Sequence, residues 1–162
     1  DLLLLLHACP QGDGYARGAN LYTLAEDASD AASAALAERH DRDDLLAGVD
    51  LSEQDDVVAE VLMDMARTET TPRTERLAAA VVAAIKAAEL RMHRRPLQEG
   101  GFSVLKTPDI PSVLLEVGFL SSDRDFKRLS DPNWRAKLAE AVLVALVAWS
   151  EEDISLRAAS GP

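Results

Sequence analysis

Residues 107–119 read TPDIPSVLLEVGF, and the fold turns on this stretch. Residues 112–117 are a short apolar run between Pro111 and Gly118, the pattern of a strand buried on both faces. Glu116 is set into that run. A carboxylate in a buried strand is costly unless it is paired, hydrogen-bonded or beside a metal. The competing position is the strand's exposed C-terminal end, just before Gly118. Either place is informative, because buried sheets bind ligands at the carboxyl ends of their strands.

Upstream, residues 2–6 are a run of leucine ending at His7, a second buried strand with a polar group at its end. Residues 8–14, rich in Gly and Pro, read as a loop. GANLYTL at 18–24 is a third strand, with β-favouring Tyr22 and Thr23. A helix follows, capped by Asp27 or Ser29 and running towards Gly48. Its apolar stripe is weak: Ala32, Ala35, Leu36, then Leu45 and Leu46. The segment 38–44 is almost wholly charged, so it is either solvated or lies in a polar cleft. Beyond an acidic break at 48–56, with Ser52 a candidate cap, Val57, Val58, Val61, Leu62 and Met65 fall on one helical face. That face packs into a core or docks another protein, since Met-bearing helices suit adaptable grooves.

The pattern breaks at 70–74, around Pro72. An Ala-rich helix from 74 to 90 then carries Leu77, Val81, Val82 and Ile85. RMHRR at 91–95 sits after that helix, where cations favour the dipole, so His93 reads as a surface or cap residue. Residues 102–105 read as a short strand. Beyond the central strand, 121–123 cap a short helix, and Asp131-Pro132 opens the last one, with Leu138, Val142, Ala145, Leu146 and Trp149. After Glu152 the pattern fades, which makes 153–162 a tail. Strands alternating with helices give an α/β protein with a mixed, largely parallel sheet flanked by helices.

Composition narrows the function. The chain has 162 residues, 48% hydrophobic, enough for one domain with a core. A net charge of −11 argues against nucleic acid or an anionic membrane as partner. No apolar run approaches the ~18 residues of a membrane span. The single cysteine, Cys9, rules out an internal disulfide and carries no nucleophile or metal signature. The abrupt start, Asp1 leading straight into leucines, raises the expectation that earlier strands of the domain precede it.

The chemistry concentrates at two strand ends, His7 and Glu116. Parallel strands of one sheet would bring both to the same edge, where pockets form. There they would be a metal ligand with a general base, a His–Glu acid/base pair, or two unrelated residues.

The order of segments resembles the zinc-dependent N-acetylmuramoyl-L-alanine amidases of bacterial cell separation. LLLLLHA at 2–8 resembles that family's Ser-Ile-His-Ala strand end, and RGANLYTL at 17–24 the strand that follows it. LAERHDRDDLLAGVDL at 36–51 and DDVVAEVLMDMA at 55–66 resemble the helical regulatory insert of the cell-division members. FSVLKTPDIPSVLLEVGFLSS at 102–122 resembles the C-terminal motif with the catalytic Glu. The resemblance implies that residues 1–152 are a partial amidase catalytic domain with an insert at about 36–70. It implies that His7 binds Zn2+ and that Glu116 is the general base. The reaction would cleave the amide between N-acetylmuramic acid and L-alanine of the peptidoglycan stem, in the periplasm.

The resemblance also implies autoinhibition. An acidic side chain of the insert, Glu38 first and Glu53 second, would take zinc's open position, and the face of Val57, Val58, Val61, Leu62 and Met65 would dock a protein activator. Departures stand beside this. The family's earlier His and Glu ligands are not in this chain, and Ala8-Cys9-Pro10 replaces Ala-Asp after the His. One expected ligand of three remains, which predicts weak zinc binding by the chain alone. The alternatives are a metal-free binding domain of the same fold, acting through its docking helix, and an unrelated cytosolic α/β domain.

Overall fold

The computed structural model describes residues 1–9, 18–25, 27–46, 57–107 and 109–159; for 43–46, 57–64 and 66 it describes only the helical backbone. The expected loop tip at 10–14, the acidic break with Ser52, and Glu53 lie outside the described residues.

Strand β1 spans Leu3–Cys9, β2 Ala19–Leu24, β3 Met92–Gly100 and β4 Ser112–Phe119. They form one sheet in the order β1-β4-β2-β3. The central β4 runs parallel to β1 and antiparallel to β2, and β2 runs parallel to β3. The sheet is therefore mixed and mostly parallel, as the sequence predicts. Helices are α1 (Ala31–Leu46), α2 (Val57–Ala87), α3 (Asp123–Ser130) and α4 (Pro132–Ala159).

Strand residues alternate between two faces, and the faces differ in character. One carries Leu21, Val113 and Leu115, packed against Leu77, Ala78, Val81 and Ile85 of α2 and Ala141, Ala145 and Trp149 of α4. The other carries Cys9, Tyr22, Leu114 and Phe119, packed against Leu36 and Ala37 of α1 and against Phe102.

Several boundaries correct the sequence reading. The break at Pro72 does not occur: α2 is one helix with Pro72 inside it. A proline removes one ladder bond. Local side-chain bonds, Thr70 Oγ1 to the Arg67 carbonyl (3.4 Å) and Thr74 Oγ1 to the Thr70 carbonyl (3.1 Å), and the full burial of Leu77 just beyond hold the helix together. RMHRR is not a helix-end cap. The helix ends at Ala87, the chain turns at Glu89, whose φ is +54°, and Met92 already opens β3, an edge strand whose register shifts between the Ala19 and Leu21 pairings. Pro96 is tolerated there because an edge strand has one unpaired side. Residues 103–105 form a 3₁₀ turn rather than a strand.

The stretch 153–159 is helix, not tail. Arg73 of α2 donates Nε and Nη2 to Asp153 Oδ1 and Oδ2, both at 2.8 Å, and Trp149 Nε1 donates to the Arg73 carbonyl at 3.1 Å. That hydrogen bonding holds the buried Asp153 carboxyl below the usual carboxylate range. The cap of α1 is Asp30, one residue past the expected pair: its Oδ1 accepts the Ser33 backbone N–H at 2.9 Å. Ser122 caps α3 as expected.

Candidate functional site

The parallel pairing of β1 and β4 sets His7 directly opposite Glu116. On the other side of β4, Asn20 of β2 pairs with the same Glu116. Residues in register share a face, so His7, Glu116 and Asn20 form a polar row across three strands. The row continues the α1 face of the sheet, two residues along β4 from Leu114.

Glu116 is fully buried. Its Oε2 lies 2.9 Å from His7 Nδ1, and its Oε1 accepts the Cys9 backbone N–H at 2.7 Å. Both oxygens are thus held, which is what makes a buried carboxylate tolerable. The Cys9 contribution comes from the main chain, so Cys in place of the family's Asp leaves it intact. The Cys9 thiol is buried and takes a 3.5 Å contact from Arg39 Nη1. Burial, and after it the Glu116 carboxylate, pushes the nearby Tyr22 hydroxyl above its ordinary value.

Helix α1 covers this row. Among its described side chains, the buried positions are Ser33, Leu36, Ala37 and His40, a helical i, i+3, i+4, i+7 face. The expected stripe is therefore displaced: Ala32 and Ala35 are exposed. Polar clasps seat the helix. Ser33 Oγ bonds Gln98 Oε1 of β3, and Asp41 accepts the Ser103 N–H at 3.0 Å and the Ser103 hydroxyl at 2.9 Å.

His40 ends that face. Its ring centroid is 4.1 Å from that of His7 and 5.9 Å from that of Phe102. His7, His40 and Glu116 each offer a ligand atom, and these atoms lie within 4.8 Å of one another. Two imidazoles and a carboxylate are a donor set that zinc accepts, so the residues present fit the metal that the resemblance implies. A polar guest also suits the neighbourhood: Asn20 is buried, and its Oδ1 has no hydrogen-bond partner among the described residues.

The structure thus brings His7 and Glu116 together as the strand ends predict. It does not bring Glu38 to the site. That side chain is 75% exposed and pairs with Arg42 at 3.1 Å. Met65 is exposed on α2, while the side chains of Val57, Val58, Val61 and Leu62 lie outside the described residues. His93 bonds around Arg95 and Gln98 on β3, away from the cluster. His40 is what the sequence reading missed. Its signal was present: four residues after Leu36, it shares that residue's face.

Fold and site together define an α/β protein with a metal-type donor cluster at the carboxyl ends of two parallel strands. A family profile described as N-acetylmuramoyl-L-alanine amidase matches residues 1–148. The chain belongs to that family. AmiA of Salmonella typhimurium is 31% identical over 150 residues, covering 92% of this chain and 52% of the relative. AmiA of Escherichia coli K12 is 30% identical, with the same coverage of 92% and 52%. The chain spans about half the length of these curated relatives. Among solved structures, the Mycobacterium smegmatis amidase Ami1 superposes with a TM-score of 0.56 at 15% identity, covering 90% of this chain and 52% of that one. The CwlD amidase of Clostridioides difficile, solved in complex with the GerS lipoprotein, gives 0.57 at 16%, covering 93% and 54%. At such identities the likeness concerns the fold.

Proposed function

We propose that the protein is a peptidoglycan hydrolase that cleaves the amide between N-acetylmuramic acid and L-alanine of the stem peptide. The observation that carries this is the 2.9 Å approach of His7 and Glu116 at one edge of the sheet, in a chain of the amidase family. His7 is the residue assigned to hold Zn2+. Zinc, when bound, would polarise the scissile carbonyl and make water acidic enough to attack near pH 7.

The remaining steps belong to the chain's own residues. Glu116 takes a proton from the attacking water and returns it to the departing L-alanine nitrogen, so the amide C–N bond breaks with neutral products. The Cys9 N–H holds Glu116 Oε1 at 2.7 Å and fixes the plane of that carboxylate. Its burial keeps bulk water from competing for the proton.

Regulation follows the placement of α1. This helix lies over the row, and the reading is that it blocks substrate until an activator protein draws it aside. The α2 segment with Val57, Val58, Val61, Leu62 and Met65 is the proposed docking face, in the periplasm. No helix among the described residues is long and apolar enough to cross a membrane.

The test is release of stem peptide from purified sacculi by the whole protein. E116Q, nearly isosteric, is expected to lower the rate by about 10²–10⁴-fold. Wild-type turnover in E116Q would end the assignment of the base. Binding to sacculi without any peptide release by the wild type would favour the metal-free binding domain.

A further inference from the structure

No step of the proposed hydrolysis uses the basic run at 91–95, yet the sheet carries it to the catalytic edge. On β2, Ala19 pairs with Met92 and Leu21 with Leu97, so Asn20 alone stands opposite the four residues 93–96. The edge strand β3 bulges there. Asn20 is also the partner of Glu116 on β4. The bulge therefore lies level with His7, Glu116 and Asn20, at the far end of the same polar row. Two strand spacings, about 10 Å, separate it from β4.

We propose that this basic bulge is the subsite for the carboxylates of the stem peptide, with the guanidinium groups of Arg91, at its foot, and Arg94 holding them. The proposal rests on the amidase reading for the identity of the acidic peptide.

The bulge has an internal scaffold. Gln98 Nε2 donates to the Arg95 carbonyl at 3.1 Å, and the Arg95 N–H donates to His93 Nδ1 at 3.3 Å. Gln98 is itself buried, and the Ser33 hydroxyl of α1 donates to its Oε1. At the foot of the bulge, a Cβ on Gly18 would come within 2.9 Å of the Met92 carbonyl carbon, so β2 and β3 touch closely there. The charge is local as well. The chain carries −11 overall, yet Arg91, Arg94 and Arg95 fall within five positions, with no acid from 91 to 98. One of the three already faces a carboxylate: Arg95 Nη2 lies 3.6 Å from Asp30 Oδ2. Arg91 and Arg94 are exposed and have no acidic partner among the described residues.

The reach is suitable. An extended peptide advances about 3.3–3.6 Å per residue. A stem peptide with its L-alanine nitrogen at Glu116, running across β2, brings its next two or three residues to the bulge. A free carboxylate there takes charge-assisted guanidinium N–H bonds. Charge, a proline and a bulge also keep an edge strand from pairing with another molecule. That role would be served anywhere along β3; here the arginines gather at the catalytic end.

The probes are two soluble muramyl tripeptides, one with its carboxylates free and the other with them amidated. Binding is measured by calorimetry on the whole protein carrying E116Q, so that cleavage does not intervene. KM and kcat are measured without that substitution. R94Q should weaken the acidic probe, and R91Q/R94Q should weaken it by about 10-fold or more, seen in KM with kcat nearly unchanged. The amidated probe should bind more weakly from the start and ignore both substitutions. Added salt should weaken the acidic probe alone. Equal losses on both probes overturn the proposal, as does failure of either probe to bind. Unchanged affinity for the acidic probe in R91Q/R94Q also overturns it, and self-association of that variant in sedimentation would then identify the bulge as an edge guard. The amidase reading is judged apart from these, by peptide release from sacculi.

Discussion

The two faces of the sheet are built from the same strands yet obey different rules. On β4, Val113 and Leu115 face α2 and α4, while Leu114 and Glu116 face α1, and all four are fully buried. The first face is apolar and closed by an ion-pair cluster in which Asp153 meets Arg73 and, at 3.6 Å, Arg76. The second is a graded surface, apolar under Leu36 and Phe102 and polar where Glu116, His7 and His40 meet. The lesson is a division of labour at the period of a strand. One residue stabilises and its neighbour does chemistry, because successive side chains cannot share a face.

Substitutions on each face should therefore fail in different ways. The largest effect belongs to E116Q: hydrolysis should collapse by the hundredfold or more given above, while the melting temperature changes little. If melting drops as far as activity, the carboxylate belongs to the core and the contrast between faces disappears. Next come two changes on the other face. L115A should cost about 2–5 kcal/mol, and D153A about 3–5 kcal/mol because it strands the Arg73 guanidinium. Both are measured by urea unfolding. Activity per folded molecule should stay near wild type.

The ion pair also sets a pH dependence. Arg73 holds the Asp153 carboxyl below its unfolded value. Its stabilisation is complete above the unfolded pKa of about 3.9 and is lost as pH falls through the lower folded value. Thermal melts from about pH 7 down to pH 2 should show D153N with a flatter acid limb than wild type. Parallel curves would mean that the pair is not what titrates.

Smaller effects come from α1. D41N removes the acceptor from Ser103 and should loosen the helix by about 1–2 kcal/mol; with zinc saturating, basal hydrolysis by the whole protein should rise. An unchanged or lower rate would show that α1 shields nothing. D30A, which removes the cap, should cost about 0.5–2 kcal/mol, read as faster amide exchange over the first turn of α1. Exchange no faster than wild type would place the helix's anchor elsewhere.

Much of this was legible before any coordinates. The apolar run with a carboxylate in it located β4, and His7 at the end of the leucines located its partner. Both signals are local, since strand burial and strand ends leave a composition mark. What escaped needed tertiary knowledge. Pro72 reads as a stop on local chemistry, yet α2 continues because Leu77 and its neighbours gain a core. Residues 91–95 look like a basic helix end, but an edge strand accepts the exposed Arg94 and Arg95 equally well. The tail from 153 looked polar because its key acid, Asp153, is matched by an arginine 80 positions away. His40 escaped because its stretch is dominated by charge; the buried face it ends includes Ser33, which hydrophobic counting does not credit.

The main-chain anchor at position 9 has a practical corollary. Because the amide of Cys9, not its sulfur, grips Glu116, the chain's sole thiol is dispensable for that grip. C9A would give a background free of cysteine, and a single new one at exposed Ala35 could carry a spin label. Distances from that label to the sheet would then report, molecule by molecule, whether the covering helix is down or lifted.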